Sequence, residues 1–167
     1  MEQRTVHSLD AMGEFAEELL GGLVPRDDGR ATVLALSGDL GSGKTAFVKA
    51  LARHLGVEEH VTSPTFVIMK TYNIQPTTND GNGFGRLVHI DAYRMQSAAE
   101  LSVLGWEGLL ADPANLIALE WPELVEDVMP EDALTLAFEH VDETTRSVHS
   151  KIQIPKSKQA PNSKIQT

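Results

Sequence analysis

Eight consecutive residues, Gly38-Asp39-Leu40-Gly41-Ser42-Gly43-Lys44-Thr45, carry the sharpest chemistry in the chain. They fit the pattern Gly-x4-Gly-Lys-Ser/Thr. Its glycines let backbone N–H groups turn inward around phosphate oxygens, and the helix that follows adds partial positive charge at its amino end. Lys44 would bridge the β- and γ-phosphates of a nucleoside triphosphate, and the Thr45 hydroxyl would ligate Mg2+. Asp39, Leu40, Gly41, Ser42, Gly43, Lys44, Thr45 and Ala46 are therefore the expected nucleotide-binding residues. The alternative is a glycine-rich turn whose Lys and Thr are merely solvated. With glycine at ~7% of average usage, a random chain of this length would match the pattern well under about 1% of the time.

A phosphate loop needs a carboxylate to hold Mg2+ or its water shell, and two stand at the ends of apolar runs. Leu87-Val-His-Ile-Asp91 ends one, and Leu116-Ile-Ala-Leu-Glu120 ends another. In an open parallel sheet both carboxyl ends face the phosphate crevice, so one acid would meet the metal and the other would orient the attacking water. Spacing alone does not assign the two roles. Hydroxyls in Thr62-Ser63-Pro64-Thr65 stand within reach of Mg2+ or a γ-phosphate, as in segments ordered by triphosphate, although a proline turn entering a strand reads the same way.

Weaker features gather around these. His89 shares a strand face with Asp91, which would let it hydrogen-bond near the site, although a packed strand histidine is the commoner reading. Arg94 would answer a phosphate or, as is commoner just past a strand, pair with surface acids; Glu100 reads as a helix-capping residue, and Trp121 as a wedge against the site from the core. The six histidines show no zinc-binding spacing. No Asn-Lys-x-Asp element of the kind that reads guanine is present, which favours ATP over GTP.

The elements that must hold these groups follow from hydrophobic periodicity. Arg4–His7 reads as a short strand and Ser8 as the cap of a helix whose apolar face is Leu9, Met12, Ala16, Leu19, Leu20 and Leu23. A buried strand over 31–37 leads into the phosphate loop, and a helix bearing Phe47, Val48, Leu51 and Leu55 leaves it, closed by Gly56. β-branched and aromatic residues predict a strand over Thr65–Tyr72, and Gln75–Gly85 reads as a mobile loop. Buried strands are expected over 87–92 and 116–120. Between them Ser97 and Glu100 fit a capping box that opens a helix through Leu101 and Leu104. Alternation at Leu134, Leu136 and Phe138 predicts a half-buried strand paired with 148–154. The whole is an α/β fold of the phosphate-loop NTPase type: a mostly parallel sheet with helices on both faces and antiparallel strands at its edge. Residues 1–154 form the expected single domain, with 155–167 a polar, disordered tail.

Composition narrows the function classes. The 167 residues include no cysteine, which excludes disulfides, thiolate metal sites and a cysteine nucleophile. Fourteen basic against twenty-four acidic residues give a net charge of −10, a poor footprint for non-specific nucleic-acid binding. No apolar run approaches the ~18 residues of a membrane span. The expectation is a soluble, cytoplasmic domain.

Taken together the motifs resemble the TsaE family of small bacterial phosphate-loop ATPases, required to make threonylcarbamoyladenosine (t6A) in tRNA. The resemblance is carried by Gly38–Phe47, then Ser63-Pro-Thr-Phe66, His89-Ile-Asp-Ala-Tyr-Arg94, Glu100-Leu with Leu104-Gly105, and Glu120-Trp-Pro122. It implies ATP hydrolysis, with ATP and Mg2+ as cofactors, coupled to binding and resetting a TsaD–TsaB complex. Contact with tRNA would be only indirect and there would be no membrane contact. Carried over by position, Lys44, Asp91 and Glu120 are the catalytic residues, Thr45 and Glu120 contact the metal, Thr65 belongs to a switch segment, and Arg146 lies near the nucleotide. Ala46 departs from the family's second threonine, and the Gln75–Gly85 loop is longer than the short hairpin expected. Two other classes compete: a small-metabolite kinase, whose arginine-bearing lid has no obvious counterpart here, and a nucleotide-gated binding module in which hydrolysis is incidental.

Overall fold

The computed structural model describes residues 2–75 and 83–150. Seven strands form a single sheet: β1 (Glu2–Val6), β2 (Thr32–Ser37), β3 (Met69–Asn73), β4 (Arg86–Asp91), β5 (Asn115–Glu120), β6 (Leu134–His140) and β7 (Arg146–Ser150), in the order β1-β7-β6-β2-β5-β4-β3. The central strands β6, β2, β5 and β4 are parallel, while β3, β7 and β1 add antiparallel pairs at the two edges. Parallel strands must be covered on both faces, and β2, β4 and β5 accordingly read as near-continuous apolar runs.

Alternate residues of each strand feed two cores. Leu34, Leu36, Leu87, Leu116 and Ala118 pack beneath α1 (Leu9–Gly21) and α2 (Lys44–His54). Val33, Val88, Ile90, Ile117 and Leu119 pack on the other face against α3 (Ala99–Val103), α4 (Trp106–Leu110) and a 3-10 segment, Pro122–Val128. The Ser8 hydroxyl accepts from the Ala11 N–H at 3.1 Å and so caps α1 as its position predicts. The hairpin of β6 and β7 sets Phe138 opposite Val148.

Three local expectations fail. Leu9, assigned to the apolar face of α1, is exposed. The predicted strand over Thr65–Tyr72 begins only at Met69. Before it the chain turns, and the Pro64 carbonyl accepts from the N–H groups of Val67 and Ile68 at 3.0 and 2.6 Å. Ile68 takes φ 68°, a costly conformation for a β-branched residue. Local β-propensity loses there to tertiary bonds made by Thr65. The capping box at Ser97 and Glu100 is also not made. Ala98 is the N-cap of α3, without a side-chain bond, and α3 stops at Val103 because Gly105 turns left-handed and starts α4. From the Gln75–Gly85 loop, 76–82 lie outside the described residues, but Phe84 is buried in the α1–α2 core. Residues 151–154 of the last predicted strand, and the tail at 155–167, likewise lie outside the described residues.

Candidate phosphate and metal site

The site forms where β2, β4 and β5 end together. Parallel register sets Asp91 opposite Glu120 and Leu36 opposite Glu120, so the two acids and the loop after β2 converge at one rim. The loop is fixed by close approach. A Cβ at Gly38 would lie 2.4 Å from the Phe138 carbonyl oxygen and 2.7 Å from Ser42 Oγ, and Gly38 has φ 138°. Only glycine fits there. Gly43, at φ 106°, is the N-cap of α2, which begins at Lys44.

Lys44 is 4% exposed. Its ammonium donates to the carbonyls of Gly38 and Asp39, the latter at 2.9 Å, and reaches Ser42 Oγ at 3.5 Å. It also sits 4.2 Å from the centre of the Trp121 ring. Burial pushes its pKa below the ordinary lysine value, against the pull of Glu120, Glu123, Asp91 and Asp39. The Thr45 hydroxyl donates to Glu120 Oε1 at 2.9 Å. The same oxygen lies 2.7 Å from His89 Nε2, and His89 is fully buried. Asp91 Oδ2 accepts from the Thr65 hydroxyl at 2.8 Å, Ser63 Oγ lies 2.6 Å from Thr65 Oγ1, and Asp91 Oδ1 accepts from the Tyr93 N–H at 2.9 Å.

These groups line a cavity of about 380 Å³ that takes in the loop from Leu40 to Ala46, Ser63, Thr65, Asp91, Tyr93, Glu120, Trp121 and Arg146. The residues picked from sequence are thus brought together. Asp39 is the exception and contributes only its carbonyl, to Lys44. Trp121 is seated at the site as expected, in a left-handed conformation at φ 62°, with the Tyr93 ring 5.0 Å away and tilted by 46°. Arg94 stands 4.8 Å from the exposed Phe66 ring rather than on a surface acid.

A second cavity of about 430 Å³ adjoins the first and was not legible in the sequence. Val6, His7, Ser8, Leu9 and Met12 form part of its wall, and it shares Gly43, Ala46 and Arg146 with the phosphate cavity. Its wall comes from the β1–α1 junction, where the side chains look like ordinary core and cap residues. Only the pairing of β1 with β7, which sets Val6 opposite Arg146, brings that junction to the loop.

The donor set suits a hard cation. Thr45, Glu120 and Asp91 offer oxygen only, as Mg2+ prefers, and Mg2+ is commonly held by one or two protein oxygens plus substrate phosphates. No cluster of three or more His, Asp or Glu that could cage an ion alone occurs among the described residues.

Residues 6–148 match the family model for the threonylcarbamoyl adenosine biosynthesis protein TsaE. The chain belongs to the TsaE family. Among curated TsaE relatives, the tRNA threonylcarbamoyladenosine biosynthesis protein of Borreliella burgdorferi is 40% identical over 110 residues, covering 65% of this chain and 74% of its own. Its counterpart in Rickettsia prowazekii is 31% identical over 150 residues, with 86% of this chain and 94% of its own aligned. The crystal structure of YdiB from Bacillus subtilis superposes with a TM-score of 0.65 at 26% identity, covering 89% of this chain and 83% of that one. The mixed sheet, parallel at its centre and antiparallel at its edges, is therefore the fold this chain shares with that structure. No helix among the described residues is long and apolar enough to cross a membrane.

Proposed function

We propose that this TsaE-family chain is a Mg2+-dependent ATPase that serves t6A biosynthesis by binding a TsaD–TsaB complex and resetting it through ATP binding and hydrolysis. The observation that carries the reading is the Thr45–Glu120 hydrogen bond at the mouth of a Gly-x4-Gly-Lys-Thr loop. A hydroxyl that gives its proton to a carboxylate keeps its lone pairs for a cation, which is what a metal-ligating threonine needs. Mg2+, when bound, supplies charge neutralisation at the transferred phosphoryl group.

The chain's own residues divide the remaining work. Lys44 exchanges loop carbonyls for phosphate oxygens and places its charge on them. Backbone N–H groups from Gly41 to Ala46 surround the phosphates at the amino end of α2. Asp91, held at Oδ1 by the Tyr93 N–H, keeps Oδ2 for a proton donor, now the Thr65 hydroxyl and in turnover a water to be oriented. The second cavity, which adjoins the first at Gly43, takes the nucleoside, with Arg146 at the shared wall.

Titration calorimetry with Mg–ATP tests the binding half, and absence of heat with folded protein would overturn it. Phosphate release, measured with and without TsaD–TsaB, tests the other half. The ATPase reading expects slow turnover that rises with the partner complex. Unchanged turnover with nucleotide-dependent partner binding would favour the gated module instead. Asp91→Ala is expected to keep nucleotide affinity within about threefold while losing most turnover, about a hundredfold on the scale of general-base removal.

A further inference from the structure

Of the two polar side chains in the buried run of β4, Asp91 ends the strand at the site and His89 lies inside it. Leu87, Val88 and Ile90 are fully buried and apolar, and His89 is fully buried among them. Packing alone would be served there by another aliphatic group. The imidazole instead reaches diagonally across the sheet. Its register partner on β5 is Ala118, whose small side chain leaves room for the ring to pass toward Glu120, two residues further along on the same face.

The hydrogen bonding fixes direction. An ionised Glu120 can only accept, so His89 Nε2 carries the proton and donates at 2.7 Å. Nδ1 has no partner. A buried nitrogen left in that condition is costly, and the cost is tolerated where the other nitrogen's bond is needed. That bond falls on Oε1, the atom that already accepts from Thr45. With Oε1 doubly occupied, Oε2 is the oxygen that carries no hydrogen bond among the described residues.

We infer that His89 is the positioning residue of the metal site: its Nε2–H pins Glu120 Oε1 against Thr45, so that the carboxylate presents Oε2 to the cation's water shell. This rests on the proposed Mg–nucleotide reading of the site. His89 would touch neither metal nor nucleotide and acts only through Glu120, as outer partners of metal-binding carboxylates do.

Three variants test it. In His89→Gln the amide nitrogen falls about where Nε2 lies, in His89→Asn it reaches only as far as Nδ1, and in His89→Leu there is no donor. Affinity for a non-hydrolysable ATP analogue is measured with EDTA and with saturating Mg2+, and the gain from Mg2+ is the readout. The gain is expected to fall about tenfold in His89→Asn and His89→Leu, with the EDTA affinity unchanged, and to stay within about threefold in His89→Gln. Melting curves accompany each variant, and if His89→Leu does not fold, the Gln and Asn pair decides. Asn or Leu keeping the full gain, or Gln losing as much as Asn, overturns the proposal while leaving the nucleotide site intact. A parent protein with no Mg2+ gain at all overturns the site reading, and this proposal with it. On the unaltered protein, 15N-histidine NMR should find the His89 proton on Nε2; a proton on Nδ1 with Nε2 bare would likewise overturn the inference.

Discussion

Two charged clusters in this molecule are built in opposite ways. On the surface, Asp28 accepts from Arg26 Nε at 3.0 Å and Arg30 Nε at 3.1 Å, and Asp132 is reached by Arg30 and Arg26 at 2.6 and 2.7 Å. The guanidinium hydrogen bond from Arg26 holds the Asp28 carboxyl well below the usual carboxylate range, and Arg26 is held correspondingly high. Each charge there is spent on its neighbour. In the phosphate loop, by contrast, the buried Lys44 ammonium meets carbonyl and hydroxyl oxygens, and Glu120 meets a hydroxyl and an imidazole. Its charges are kept apart at a desolvation cost, which is why the Lys44 pKa is depressed while that of Arg26 is raised. The surface cluster has nothing left for a ligand; the buried one holds its lysine on carbonyl and hydroxyl oxygens that a phosphate can displace.

Lys44→Ala probes that contrast hardest. It removes the charge and its phosphate hydrogen bonds, each worth about 1.5–3 kcal/mol when charge-assisted, so affinity for Mg–ATP should fall about a hundredfold or more. Calorimetry on the folded variant reads this, and near-parental affinity would break the contrast.

A smaller effect lies in protons. Because burial depresses the Lys44 pKa, the free protein begins to lose that proton below the ordinary value of 10.5, and a polyphosphate pulls the proton back. Nucleotide binding should therefore take up protons between the depressed value and the higher one in the complex, and affinity should weaken as pH rises through that window. Calorimetry in buffers of different ionisation heat measures the uptake. For the fold itself the sign is reversed: the unfolded chain holds more protons in this range, so Lys44 penalises stability less as pH climbs toward 10.5.

The smallest effect is expected at the surface. Asp132→Ala should leave nucleotide affinity unchanged and move the melting temperature little, since exposed ion pairs contribute little. A clear loss of affinity would show that the two clusters are not independent.

The sequence exposed the parts whose chemistry is local. A glycine-rich loop between an apolar strand and an amphipathic helix announces itself, and acids that end apolar runs land at the rim because parallel strands end together. What stayed hidden depended on neighbours. That His89 reaches Glu120 requires β4 beside β5 in the register that opposes His89 to Ala118. The wall formed by His7, Ser8 and Met12 requires an edge strand from the start of the chain to pair near its other end. Thr65–Ile68 misled because β-branched residues favour strands, while here a proline carbonyl and the Asp91 carboxylate hold the backbone in a turn. Phe84 sits in a stretch of turn formers that gives no sign of a core residue.

Gly38 has one more implication. With the carbonyl of Phe138 and the hydroxyl of Ser42 standing where a side chain would go, its backbone lies directly against β6. The cradle's entrance is thereby braced by a neighbouring strand rather than shaped by whatever enters it. Little loop entropy then has to be surrendered on association, and preorganisation of this kind leaves more of the interaction energy to appear as affinity.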